Sequence, residues 1–329
     1  MASFSWLAPS VCIGHTTLKE EQTGGTVFLF QKPLAGAAHL CGCAPATREF
    51  AALQPGCSVE KVHGLYLGGG SAFGIDSCAG AIRWLREKGV GVKTHAGPVP
   101  VVPGACIFDL PHGKPVPPSQ ENVYEACCSA VEMPSDGGPR GSVGAGTGAA
   151  CGKSGPAGFK VGKGGLGAAT VDGPVGLKVS AFAVVNAFGD IVTKSSEILC
   201  GGTVEKEGKR EFCNVQKQVL DGTSVASISL PKEGEEGGGP QRENTTLVTV
   251  FTNASMGREG LLKVGKMAVA GLSRSICPAL TTVDGDVIFV FSTGDLAGAQ
   301  VPSPELTVGV MAAEAVAAAV RDGVMHNEG

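Results

Sequence analysis

Apolar residues in this chain fall into short runs separated by polar or glycine-rich stretches, and the spacing within each run sorts strands from helices. Residues 11–15, 25–30, 37–42, 62–67, 179–186, 246–252 and 287–291 are apolar segments of strand length, many rich in Val, Ile, Thr and Phe. Residues 75–88, 121–131, 258–273 and 306–320 instead predict helices. In the third helix the stripe is Leu261, Leu262, Val264, Met267, Ala268 and Leu272; the fourth is so rich in Ala and Val that close packing between other elements is expected. Arg83, Arg86 and Lys88 cluster near the end of the first, where the helix dipole favours cations. Short buried strands alternating with amphipathic helices predict an α/β (α+β) chain. Residues 231–243 break the pattern: they are charged, glycine-rich and broken by two prolines, and predict a flexible loop.

Composition narrows the class. With 329 residues, 43% hydrophobic and 17% charged, the chain has the material for a large core. A net charge of −4 and 5% aromatics leave no basic, stacking surface for nucleic acid. The first residues show no basic, apolar signal pattern, and no segment has the apolar length of a membrane span, so a cytoplasmic protein without a membrane partner is expected. The 12 cysteines are scattered and lack any Cys-x-x-Cys pair, which predicts free thiols in a reducing compartment.

Several stretches offer chemistry. Gly68–Gly74 joins a strand to a helix, but neither a Walker pattern nor a well-placed Gly-x-Gly-x-x-Gly is present, so a close packing turn is favoured over a phosphate cradle. A second glycine-rich run ends at Lys153, a cation among small residues. Asn186 closes an apolar strand; it either caps a turn or aims an amide N–H at a developing oxyanion. Asp284 and Asp286 precede another strand, either as a turn or as a carboxylate pair, with too few oxygens for a calcium loop. Asn244, Thr245 and Thr246 stand where the loop of residues 231–243 meets a buried strand. Cleavage there would leave a threonine amine on a rigid support.

Taken together, Gly14-His-Thr, Thr23-Gly-Gly-Thr-Val, Gly68-Gly-Gly-Ser-Ala-Phe-Gly-Ile-Asp76, Gly144-Ala-Gly-Thr-Gly148, Val184-Val-Asn-Ala-Phe-Gly-Asp190, Asn244-Thr-Thr-Leu247 and Asp284-Gly-Asp286 resemble the L-aminopeptidase/D-esterase (DmpA) family in order and spacing. That family includes β-peptidyl aminopeptidases and the nylon-oligomer hydrolase. The resemblance spans residues 11–320 and implies a four-layer α-β-β-α sandwich and a self-cleaving N-terminal-nucleophile hydrolase. It implies scission between Asn244 and Thr245, giving one hydrolase domain as fragments 1–244 and 245–329. It implies Thr245, rather than the competing Thr246, as nucleophile, with Lys153, Asn186, Asp284 and Asp286 around it. Small peptide or amide substrates, no cofactor, no metal and a homo-tetramer follow from the same resemblance. The ornithine acetyltransferases share the layout, so acyl transfer is the rival activity; a non-catalytic binding homologue is the third reading.

The residue types suit that chemistry. A β-hydroxyl reaches the carbonyl of the preceding peptide bond through a five-membered ring, which only Ser, Thr and Cys permit. The amine then released has an ordinary pKa of roughly 7.7–8.0 and acts as a base for its own hydroxyl at neutral pH. An ammonium at Lys153 would lower that pKa by like-charge repulsion.

Overall fold

The computed structural model describes residues 10–223, 244–296 and 301–326. The predicted loop 231–243 lies outside them. The strands that matter for the site are β1 (Val11–Leu18), β2 (Thr23–Leu40), β3 (Lys61–Gly68), β4 (Gly165–Asp172), β5 (Lys178–Asn186), β6 (Thr245–Thr252) and β7 (Val287–Ser292). The principal helices are α1 (Ala79–Glu87), α2 (Gln120–Cys128), α3 (Arg258–Ser273) and α4 (Pro304–Met325).

These strands belong to one 10-stranded sheet in the order β4-β5-β6-β7-β2-β3, with β1 on the first half of β2. Most neighbours are antiparallel; β6 and β7 run parallel. The sheet folds over on itself because β2 serves both halves: Gly25–Leu29 pair with β1 and β3, whereas Ala35–Leu40 pair with β7. The predicted strands 25–30 and 37–42 are therefore one strand. Between them Gln31, Lys32 and Pro33 are exposed, and the register with β3 shifts between Leu29 and Leu34. A proline that cannot donate to the ladder sits at that irregularity.

Alternation along each strand then builds three apolar layers. On β2, Val27 and Leu29 face α1 and α2, packing with Tyr66, Leu85 and Val123. Phe28 and Phe30 point the other way, into a middle core with Phe182, Phe251, Phe289 and Phe291. The rings of Phe28 and Phe182 lie 5.2 Å apart and those of Phe30 and Phe291 5.1 Å apart, both edge to face. On the far side Ala181, Ala183, Val185, Val248 and Val250 pack on Leu261, Val264, Ala312, Ala315 and Ala319 of α3 and α4. Helices, sheet, sheet, helices: this is the expected four-layer α-β-β-α sandwich.

Strand β4 has no counterpart among the strands that the apolar pattern predicts. Its Gly-Leu-Gly-Ala-Ala-Thr sequence lacks the bulky residues of a strand. Close approach to α4 explains it: a Cβ at Gly167 would stand 2.1 Å from the Ala319 carbonyl oxygen, and one at Gly165 2.4 Å from that of Gly323. The predicted helix 75–88 is likewise broken into a short helix Ser71–Ile75, a 3-10 turn and α1. Among the described residues no helix is long and apolar enough to cross a membrane.

Candidate active site

The start of β6 is enclosed on both sides. Thr245 lies opposite Asn186, the last residue of β5. On the other flank Asn244 forms a parallel bridge to Asp284, in the turn that feeds β7. Asn244, Thr245 and Thr246 are 0%, 3% and 0% exposed.

The Asn244 carbonyl oxygen, on the bond joining Asn244 to Thr245, receives two hydrogen bonds. Thr245 Oγ1 donates to it at 2.5 Å and the Gly285 N–H at 2.7 Å. Gly285 must be a glycine, since a Cβ there would stand 2.2 Å from the Ala44 carbonyl oxygen and 2.8 Å from Thr245 Oγ1. Its N–H was not anticipated from sequence; the only signal was its place between two aspartates.

The two aspartates, each 2% exposed, do different things. Asp284 accepts from the Thr281 N–H at 2.9 Å, the Thr281 hydroxyl at 2.5 Å and the Phe188 N–H at 3.2 Å. The Phe188 carbonyl in turn accepts the Lys153 N–H at 2.9 Å, so Asp284 sets the backbone that carries Lys153. Asp286 Oδ1 accepts the Thr246 N–H at 2.5 Å. Burial, with the nearby Asp284 carboxylate as the second cause, pushes the Asp286 carboxyl up to about 8. The backbone carbonyls of both aspartates clamp the loop after β2: Cys41 and Gly42 donate to Asp286, Cys43 and Ala44 to Asp284.

Lys153 is 5% exposed and directs Nζ to Asn186 Oδ1 at 2.7 Å and to the Asn186 carbonyl at 3.2 Å. Asn186 Oδ1 also takes the Ala150 N–H at 3.1 Å. Two donors on one atom identify it as the oxygen. The amide nitrogen then donates to the Phe108 carbonyl at 3.2 Å. The Asn244 carbonyl takes its hydrogen bonds from Thr245 Oγ1 and the Gly285 N–H instead.

The first glycine-rich turn does pack closely, as expected. Asp109 accepts the Thr23 hydroxyl and the Gly70 N–H, each at 2.7 Å, and a Cβ on Gly69 would lie 2.0 Å from Asp109 Oδ2. Burial raises the Asp109 carboxyl, opposed by its hydrogen bonds and by Lys153.

The layered sandwich has the architecture of the Ntn-hydrolase fold class. Within it the chain belongs to peptidase family S58, whose model matches residues 8–329. It is therefore a hydrolase of peptide bonds. An uncharacterized aminopeptidase of Mycobacterium tuberculosis is 36% identical over 315 residues, covering 92% of this chain and 86% of that protein. A 6-aminohexanoate-oligomer endohydrolase of Paenarthrobacter ureafaciens is 26% identical, covering 88% and 74%. Among solved structures, a Burkholderia β-aminopeptidase superposes with a TM-score of 0.67 at 18% identity, covering 98% of this chain and 88% of that one. The L-aminopeptidase D-Ala-esterase/amidase of Ochrobactrum anthropi, described as a variant of the Ntn-hydrolase fold, gives 0.66 at 17%, covering 95% and 83%.

Proposed function

We propose that the chain cuts itself between Asn244 and Thr245 and then works as a threonine N-terminal-nucleophile aminopeptidase or amidase on small peptides or amino-acid amides. The observation that carries this reading is the doubly hydrogen-bonded Asn244 carbonyl beside its own downstream hydroxyl. In self-cleavage Asp286 takes the Thr245 hydroxyl proton and Oγ1 attacks the Asn244 carbonyl carbon. Negative charge growing on that oxygen meets the Gly285 N–H, a donor of a kind worth about 3 kcal/mol in a transition state. The C–N bond breaks, the nitrogen is protonated, and water hydrolyses the ester to leave an Asn244 carboxylate and a Thr245 amine.

That amine then serves as base for Thr245 in attack on substrate, with the Gly285 N–H again facing the oxyanion. Lys153, held by Asn186, keeps the amine neutral by charge repulsion, while Asp284 fixes the Lys153 backbone. The mycobacterial relative's higher identity, against that of the oligomer endohydrolase, favours peptide substrates over nylon oligomers. All 12 cysteines are free, which supports a reducing cytoplasmic setting; a homo-tetramer remains part of the proposal by family resemblance.

Thr245→Ala is expected to yield one intact, inactive chain by mass spectrometry, whereas the wild-type protein yields two fragments, the smaller beginning at Thr245. A small fragment beginning at Thr246, or scission that persists in Thr245→Ala, refutes the assignment.

A further inference from the structure

Beside the site, two side chains are arranged for covalent chemistry of their own. Cys151 is fully buried on the short strand Ala150–Cys151, and its Sγ donates to Cys200 Sγ at 3.5 Å. The contact depends on a missing side chain. The cross-strand partner of Cys151 is Gly162, and a Cβ on Gly162 would stand 2.9 Å from Cys200 Sγ. Cys200 closes the strand Ile198–Cys200 and is partly exposed, whereas Cys151 is buried.

We propose that Cys151 and Cys200 form a redox modification site: a dithiol that a peroxide-class oxidant converts to a disulfide, with oxidation disabling the adjoining Lys153–Asn186 pair. The Cys200 thiolate attacks one peroxide oxygen, the O–O bond breaks, and a sulfenic acid and hydroxide result. Cys151 sulfur then attacks the Cys200 sulfur, loses its proton and expels the second oxygen as water. In sum, two thiols and one peroxide give one disulfide and two waters. Cys200 is the sulfur suited to attack, because the Cys151 hydrogen bond lowers its pKa, against the opposing effects of burial and the Asp190 carboxylate.

The consequence for the site follows from the backbone. Forming an S–S bond of about 2.05 Å from the 3.5 Å contact locks both side chains, and whatever part of the closure their rotation does not supply is taken up by the Ala150–Cys151 strand. The Ala150 N–H on the moving strand is a donor to Asn186 Oδ1, and Lys153 lies two residues beyond Cys151. Misplacement by about 1 Å costs an active site on the order of 100-fold. This consequence rests on the amidase reading; the cross-link does not.

The test treats self-cleaved wild-type protein with hydrogen peroxide, then alkylates and digests it for mass spectrometry. The expected product is a linked pair of peptides containing Cys151 and Cys200, with kcat down at least about tenfold and restored by a thiol reductant. Cys200→Ser is expected to start at wild-type activity and keep it at the same peroxide dose; Cys200→Ala gives the same comparison if the serine variant does not fold. Oxidation confined to the exposed Cys43, Cys57 and Cys128, with no such linkage, overturns the proposal. So does equal inactivation of the Cys200 variants. The linkage is read by mass alone, so an inactive preparation would speak against the amidase reading and leave the dithiol assignment intact.

Discussion

At Asp286 burial ties the stability of the chain, and with it the proposed self-cleavage, to pH. The folded carboxyl holds its proton up to about pH 8, whereas the ordinary value is 3.8. Between those values the folded chain binds the extra proton, so the stability of the uncut protein falls as pH rises through that window and levels off above it. Urea melts of the Thr245→Ala protein at pH 5, 7 and 9 are expected to show this decline, and adding Asp286→Asn should make it shallower, most clearly between pH 7 and 9 where Asp190, raised to about 6, no longer contributes. Because Asp286 is the proposed base, the self-cleavage rate should climb toward pH 8, and Asp286→Asn should slow it at least about 100-fold. A pH-independent rate removes Asp286 from the mechanism. Gly285→Ala is expected to impair cleavage more than any effect on the oxyanion donor alone would explain, since the new methyl meets both Ala44 and Thr245 Oγ1. Gel analysis of freshly expressed protein checks this; normal processing would show that the loop yields at no cost. Sequence alone singled out the polar side chains at this site, but a backbone N–H leaves no residue-type signal.

At the scale of elements, the placement of the site depends on two kinds of packing. In the middle core Phe28, Phe182 and Phe251 lie within 6.3 Å of one another, ring centre to ring centre. Truncating the fully buried Phe182 to Ala should cost about 3–5 kcal/mol, readable as a lower urea midpoint at unchanged slope. In the outer layer small residues replace large ones: β4 and α4 touch backbone to backbone. Gly167→Val is therefore expected to destabilise the protein although valine is the better strand residue, because its side chain meets the Ala319 carbonyl. A rise in melting temperature would contradict that packing. This is also why β4 was invisible to pattern reading. Its residues are chosen for thinness, and thinness has no period. By contrast β5, β6, β7 and α3 were legible, since their apolar positions follow the strand or helix spacing of a buried face.

At the scale of the molecule, the break before Thr245 would fall at a sheet position where it does little harm to the fold. Strand β6 lies between β5 and β7, hydrogen-bonded to both, and its inner face is in the aromatic core. β5 belongs to the larger proposed fragment, while β6, β7, α3 and α4 belong to the smaller. Each half therefore supplies one side of the same buried layers. The fragments are expected to co-elute on size exclusion in native buffer and to separate only in denaturant. Separation without denaturant would argue against this division of the core.

Sequence by itself determined the layered class, the chemical types around Thr245 and the family, because alternation, helical spacing and the ordered motifs are local properties of the chain. Only the tertiary structure decided that β2 is one strand shared by both halves of the sheet, that Asp284 and Asp286 have separate tasks, and that Gly285 and the Cys151–Cys200 pair lie where they do. Those facts depend on groups far apart in the chain being brought within hydrogen-bonding distance, and on how completely water is excluded once they meet.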